Sequence, residues 1–288
     1  MKFAVMGGDL RIARLCGLLA SDGHHVRTYA LERGEVPCEV RRTASPEECA
    51  KHADCIILPL PLSGQRGYLS SLLSAEDVPL ESIFSALPGG VPVCAGWVDD
   101  TAVEIAQRYG VGLIDYFRRE ELCVMNAAAT AEGALDLLIR ETPKTLLGSR
   151  ALVIGYGRIG KTLASRLKDM GVRVAVSSRK YQDMAWCRVF GFEALDTRAL
   201  EGNLGNFDMV INTVPAPVLD ENRLRELKEE ALCMDLASKP GGVDFSAAAQ
   251  LGVHAIWALS LPGEVAPVTA GEIIRDTIYN ILREKELM

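Results

Sequence analysis

The chain has 288 residues, 49% apolar and 24% charged, which suits about two globular domains and excludes a disordered chain. Its 31 Lys and Arg against 38 Asp and Glu leave a net charge of −7 without a basic cluster, which argues against nucleic acid as a partner. There is no continuous apolar run of about 18 residues, no Cys-x-x-Cys among the eight cysteines, and no metal-ligand spacing among the four histidines. These absences predict a cytoplasmic protein with buried, reduced thiols, no membrane span and no metal site.

Residues 2–8 form a short β-type run ending in Gly7 and Gly8. A helix is expected over 11–21 and a second β run over 23–29. Further strands are expected at 54–59, 82–86, 91–95 and 112–116, with a helix over 99–109 capped by Asp99 or Asp100. Residues 126–140, rich in alanine with Leu135, Leu138 and Ile139 as a stripe, read as a helix connecting two domains. The opening pattern then recurs. Residues 150–157 are a β run ending in Gly155 and Gly157, followed by a helix over 158–170 and a β run over 171–177. Strands are expected at 192–194, 209–213, 231–235 and 254–258, with helices at 182–190, 221–230 and 245–251. Residues 261–271 read as a loop. A last helix over 269–286, with Ile273, Ile274, Ile278, Ile281 and Leu282 at helical spacing, is expected to return to the first domain.

Strand–helix–strand occurring twice is the building unit of parallel sheets. The predicted fold is α/β, two Rossmann-like doubly wound domains with an interdomain cleft. Residues 1–125 with 266–288 make the first, on the substrate side; residues 126–265 make the second, which binds the dinucleotide.

The second glycine turn is Gly155-Tyr156-Gly157-Arg158-Ile159-Gly160, the Gly-x-Gly-x-x-Gly spacing between a strand and a helix. Gly155 permits the turn, Gly157 lets backbone approach a pyrophosphate, and Gly160 lets helix and strand pack closely. Arg158 and Ile159 open the helix whose N–H groups face the phosphates. At the end of the next strand an NAD site carries an acid; here Ser177-Ser178-Arg179-Lys180 stands instead. Ser178, Arg179 and Lys180 suit a 2′-phosphate, which favours NADP and leaves NAD as the alternative. Asn212-Thr213-Val214-Pro215 follows a later strand and is placed against the nicotinamide ribose; a stiffened surface turn is the plainer reading. His254 reads as a partly buried strand residue, and His24 and His25 as solvated turn residues.

These residues resemble the dipicolinate synthase A-subunit family over nearly the whole chain. The resemblance is carried by Gly7-Gly8-Asp9-Leu10-Arg11, Ile57-Leu58-Pro59, Asn126 with Thr130-Ala131-Glu132-Gly133, and the glycine turn. Further matches are 211–215, Asp235-Leu236-Ala237-Ser238-Lys239-Pro240-Gly241-Gly242-Val243-Asp244-Phe245, and Leu261-Pro262-Gly263 through Gly271, the last two being the most specific. The chain departs from the family pattern at Val214 and Lys239 in these turns, with no evident change to the chemistry. The resemblance implies a dehydrogenase that oxidises dihydrodipicolinate to dipicolinate with a nicotinamide cofactor, in the mother cell during sporulation, partnered by a separate B subunit. Whether the chain self-associates stays open.

A dicarboxylate needs cations and hydroxyls. Arg11, Arg119 and Lys239, with Ser63, Thr130 and Ser238, are the candidates, and Asn126 and Gly263 come from the matched motifs. Asp9 or Glu132 would take the proton, and Ser238 completes the candidate catalytic set. The plainer readings are solvated charges for the cations and Glu132, and a helix N-cap for Asp9. Two alternatives stay open: a dehydrogenase of a shikimate-type or 2-hydroxy acid, and a non-catalytic dinucleotide-sensing subunit.

Overall fold

The computed structural model describes residues 1–288 as two compact units, Met1–Asn126 with Ala266–Met288, and Ala127–Val265. The first unit begins with β1 (Lys2–Met6), α1 (Leu10–Ser21) and β2 (His25–Tyr29), then β3 (Arg41–Arg42), α2 (Pro46–Ala50) and β4 (Cys55–Ile57). After a short hairpin, β5 (Ser63–Gln65) and β6 (Tyr68–Leu69), come α3 (Leu80–Ala86), β7 (Val93–Ala95), α4 (Asp100–Arg108) and β8 (Leu113–Asp115). The main sheet has the order β3-β2-β1-β4-β7-β8, all parallel. Phe3 to Met6 are buried without alternation, as a strand covered on both faces requires.

The next helix, α5 (Glu120–Glu141), starts earlier than expected and carries the chain into the second unit. An 18-residue window within its 22 residues has a mean hydropathy of 1.4, enough to cross a membrane by length and composition alone, although no unbroken apolar run of that length exists within it. Part of its apolar surface is used inside protein, while Val124, Met125 and Ile139 are exposed. Leu122 belongs to the core of the first unit, and Ala131, Ala134 and Leu138 to that of the second.

The second unit repeats the plan. It runs β9 (Arg150–Ile154), α6 (Arg158–Asp169), β10 (Arg173–Ser178), α7 (Tyr181–Val189), β11 (Glu193–Asp196) and β12 (Met209–Asn212). It continues through α8 (Glu221–Arg225), β13 (Leu232–Asp235), α9 (Phe245–Leu251), β14 (His254–Trp257) and α10 (Leu261–Val265). Its order, β11-β10-β9-β12-β13-β14, is that of the first sheet strand for strand. The final helix, α11 (Pro267–Glu284), packs on α1, and a Cβ at Gly271 would lie 3.0 Å from the Arg11 carbonyl.

Several expectations need correction. Residues 82–86 are helical, because Leu80, Ile83 and Phe84 recur at helical spacing and all face the core. Residues 261–271 are mostly helical, so Gly263 sits inside α10 rather than in a loop. His254 is exposed and lies 3.4 Å from Glu141. Finally, Cys38 is an exposed thiol, although most of the eight free cysteines are buried.

His24 also departs from the solvated reading. Its ring lies edge-on to Phe3 and Tyr279, with centroids 5.1 and 5.7 Å away, and Nδ1 is 3.3 Å from the Met1 ammonium. Desolvation, then that ammonium, holds the imidazole below its ordinary 6.5, against an opposite pull from Asp22. The unfolded chain therefore binds this proton more readily. The contribution to stability is complete above pH 6.5 and is lost as pH falls towards the folded value. Urea unfolding of His24→Phe is expected to show a flatter fall in stability below neutrality than the parent; identical slopes would refute the assignment.

Candidate dinucleotide and substrate sites

The glycine turn of the second unit follows β9. Gly155 has φ +99°, a conformation closed to most side chains, and a Cβ there would meet Thr213 Oγ1 at 2.5 Å. A Cβ at Gly160 would stand 2.1 Å from the Gly155 carbonyl oxygen, so this position admits only glycine. Gly157 is exposed with nothing within 4 Å of its absent Cβ, and it opens α6 without any side-chain cap. Arg158 and Ile159 form the first turn. An open glycine at the start of an uncapped helix, backed by two sterically obligatory glycines, fits a dinucleotide pyrophosphate.

Beside it, the loops after β12 and β13 are locked by one carboxylate. Asp235 is completely buried. Its Oδ1 accepts from Ala237 N at 2.9 Å and Asn212 Nδ2 at 2.8 Å, and its Oδ2 from Gly242 N at 2.7 Å and Val243 N at 3.1 Å. Asn212 also donates to the Val214 carbonyl and accepts from Val214 N, which fixes the Asn212–Pro215 turn. Thr213 Oγ1 donates to the Ile154 carbonyl at 2.9 Å. Trp257 Nε1 donates to the Ala237 carbonyl at 3.0 Å. Gly241 and Gly242 are required by the same crowding, since a Cβ on Gly242 would lie 2.4 Å from Asn212 Nδ2. Ser238 and Lys239 are thus carried on a braced loop containing a cis Lys239–Pro240 bond, with Lys239 exposed. Sequence reasoning marked Asn212 as a cofactor contact and missed Asp235. A carboxylate at the end of an apolar strand, a few residues before Gly-Gly, was the available signal.

At the end of β10, Arg179 and Lys180 are exposed, as a 2′-phosphate contact requires. Ser178 is buried and already engaged. Its hydroxyl donates to Asp183 Oδ2 at 3.1 Å and accepts from Lys180 N at 3.2 Å. The hydroxyl is thus held by a carboxylate of α7. The two cations, rather than Ser178, are the groups turned to solvent.

The first unit has the same turn with a different end. Asp9 caps α1, its Oδ1 accepting from Arg11 N at 3.0 Å, so a carboxylate sits where the second unit leaves its helix open. The β5–β6 hairpin closes over the turn: Gly8 N donates to the Ser70 carbonyl at 2.7 Å, and a Cβ on Gly7 would meet Leu69 at 2.5 Å. The guanidinium of Arg11 is buried. Its Nε and Nη2 bond Asp9 at 2.7–3.1 Å, and Nη2 also reaches the Leu60 carbonyl, leaving Nη1 without an acceptor. Ser63, just beyond the cis Leu60–Pro61 bond, has a buried hydroxyl oxygen with no partner.

The remaining candidates are dispersed. Arg119 is taken up by Glu284, through two bonds of 2.6 Å, and by Glu121 at 2.8 Å, which raises its pKa and leaves no cation for a substrate. Asn126 and Thr130 share one face of α5. Glu132 points about 160° away from Thr130 around the helix axis. It is exposed and paired with Arg166 at 3.0 Å, so the helix does not bring it to the same place.

Comparison with known proteins agrees with this division. Residues 2–117 match the N-terminal domain of the dipicolinate synthase A-subunit, and residues 128–238 the NAD-binding domain of D-isomer specific 2-hydroxyacid dehydrogenases. The chain is 30% identical to the dipicolinate synthase A-subunit of Bacillus subtilis strain 168, over 99% of this chain and 96% of that one. The crystal structure of the A-subunit from Bacillus halodurans superposes with a TM-score of 0.90 at 28% identity, covering 98% of this chain and 97% of that one. The crystal structure of the Bacillus subtilis A-subunit gives 0.88 at 30% identity, covering 99% and 96%.

Asp235→Asn places an amide N–H against a donor. It is expected to lower stability by about 1–3 kcal/mol and to weaken nicotinamide dinucleotide binding by about tenfold or more. Urea unfolding and a fluorescence titration with reduced cofactor check both; unchanged affinity would show that the braced loops do not shape the cofactor site.

Proposed function

The chain belongs to the dipicolinate synthase A-subunit family, and from that premise we propose that it oxidises dihydrodipicolinate to dipicolinate with NADP. Its nucleotide domain makes it an NAD(P)-dependent oxidoreductase. The setting proposed with this reaction is the cytoplasm of the mother cell of a sporulating bacterium, where a B subunit is its partner.

The observation that carries the reading is the combination, in one chain, of an open glycine turn and a first unit whose own turn is capped by Asp9. Only the second unit offers a pyrophosphate site, so the first is left for the substrate. The bound nicotinamide would accept the hydride. The product is aromatic, so loss of the hydride to the nicotinamide and of a proton to solvent water is downhill, and the protein's task is orientation. A dianionic substrate suits Arg11, because Asp9 and Leu60 hold the guanidinium rigid while Nη1 stays unspent. The unpartnered hydroxyl of Ser63 is the second donor proposed. Ser238, Lys239, Thr130, Asn126 and Gly263 are proposed as further substrate contacts. Asp9 acts in this scheme as the group that positions Arg11. Glu132 has no part in it, being tied to Arg166 on another face of α5.

Purified protein given dihydrodipicolinate and NADP, with and without the B subunit, is expected to reduce the cofactor and accumulate dipicolinate absorbance. No change under either condition would overturn the reading. For cofactor choice, Arg179→Ala is expected to raise the KM for NADP by about tenfold or more while leaving that for NAD within about twofold, the signature of a lost charge-assisted contact. Equal losses would remove the arginine from the 2′-phosphate.

A further inference from the structure

A second cavity opens on the second unit, in the groove between α6 and α7. Its volume is about 600 Å³, within the range of small-molecule sites. Four rings form it. Trp186 and Phe190, at i and i+4 along α7 and its C-terminal cap, stack with centroids 5.7 Å apart and planes 21° from parallel, and both are more than half exposed. Tyr156 and Phe192 meet edge-to-face at 6.5 Å and are buried. Two ammonium groups from α6 lie over the buried pair: Lys161 Nζ is 5.3 Å from the Tyr156 centroid, and Lys168 Nζ is 5.4 Å from that of Phe192. Lys168 also donates to the Phe190 carbonyl.

This lining selects a ligand class. Exposed stacked rings on a protein surface reward a flat apolar partner. A cationic ligand would compete with two lysines that already hold the ring faces. An anionic one would meet both ammonium groups against a single lining carboxylate, Asp169. We propose that this cavity binds a small planar aromatic carboxylate, and that its occupancy is communicated to the cofactor site through Tyr156. Tyr156 stands between Gly155 and Gly157, so a ligand against its ring bears on the turn that receives the pyrophosphate. Resting on the function proposed above, the ligand is the reaction's own product, a pyridine dicarboxylate, and the cavity is a product-sensing site.

The test uses the full-length protein, with pyridine-2,6-dicarboxylate and benzene-1,3-dicarboxylate as probes. Both are expected to quench tryptophan fluorescence saturably. The quench should disappear in Trp186→Ala, and the affinity should fall about tenfold in Lys161→Met. Saturating probe should shift the NADPH Kd of the parent by about fivefold or more, and not that of Trp186→Ala. Trp186→Ala should still turn over dihydrodipicolinate at the parent rate without probe. Absence of a saturable quench, or a quench unchanged by Trp186→Ala, overturns the proposal. A quench by both dicarboxylates in a parent that fails to oxidise dihydrodipicolinate would instead retain the cavity and remove the reaction assigned to the chain.

Discussion

A carboxylate buried to zero exposure must have its charge met by donors, and in the second unit that demand organises the carboxyl edge of the sheet. Asp235 collects three backbone N–H groups and one side-chain amide. To deliver them, the chain after β13 has to curl back within eight residues, which brings Gly242 N and Val243 N to Oδ2. That curl leaves no room for side chains at Gly241 or Gly242. The amide comes from Asn212 on the neighbouring strand, and the same amide fixes the turn carrying Thr213 and Val214. Thr213 in turn stands against Gly155. One buried charge therefore ties together three loops from three adjacent strands, all at the edge where the dinucleotide site is proposed.

The two units show what such constraints do to one topology. Both sheets have the same strand order, and both place a glycine turn after their central strand. The difference lies at the first helix. In the second unit the helix dipole and first-turn N–H groups are offered outward from an open Gly157. In the first, Asp9 satisfies the cap and the β5–β6 hairpin covers the glycines. A carboxylate at a helix N-terminus stabilises the helix by the interaction that a phosphate would otherwise use. The cap thus disfavours a pyrophosphate at this turn and creates another feature. The carboxylate that caps α1 also orients the buried guanidinium of Arg11.

Much of this was legible in the sequence because the parallel strands are buried on both faces and appear as unbroken apolar runs. Residues 3–6, 151–154 and 209–211 are of this kind. The segment at 82–86 misled because five residues with only Ile83, Phe84 and Ala86 apolar carry too little periodicity to separate strand from helix; Leu80, two residues earlier, completes the helical face. The glycine turn was legible because its requirements are steric and local. Asp235 was hidden because its role depends on donors that arrive from Asn212 and from seven and eight residues downstream. Glu132 stood in a matched motif, yet its pairing with Arg166 on α6 is a tertiary fact. Arg119 is the same case, since Glu284 lies 165 residues away in sequence.

The cations also take on a different meaning once their partners are known. A net charge of −7 suggests a surface that repels anions, yet the reaction proposed for the chain brings two of them to it. The total matters less than which cations are already spent. Arg119, Arg166, Arg198 and Arg223 are neutralised by carboxylates at 2.6–3.0 Å and stabilise local geometry. Arg11 is intermediate, with one arm given to Asp9 and Leu60 and the other unspent. Arg179, Lys180 and Lys239 are exposed at the carboxyl ends of strands, where parallel sheets present ligands. An acidic chain can therefore hold anions at chosen places, provided that most of its arginines are consumed elsewhere.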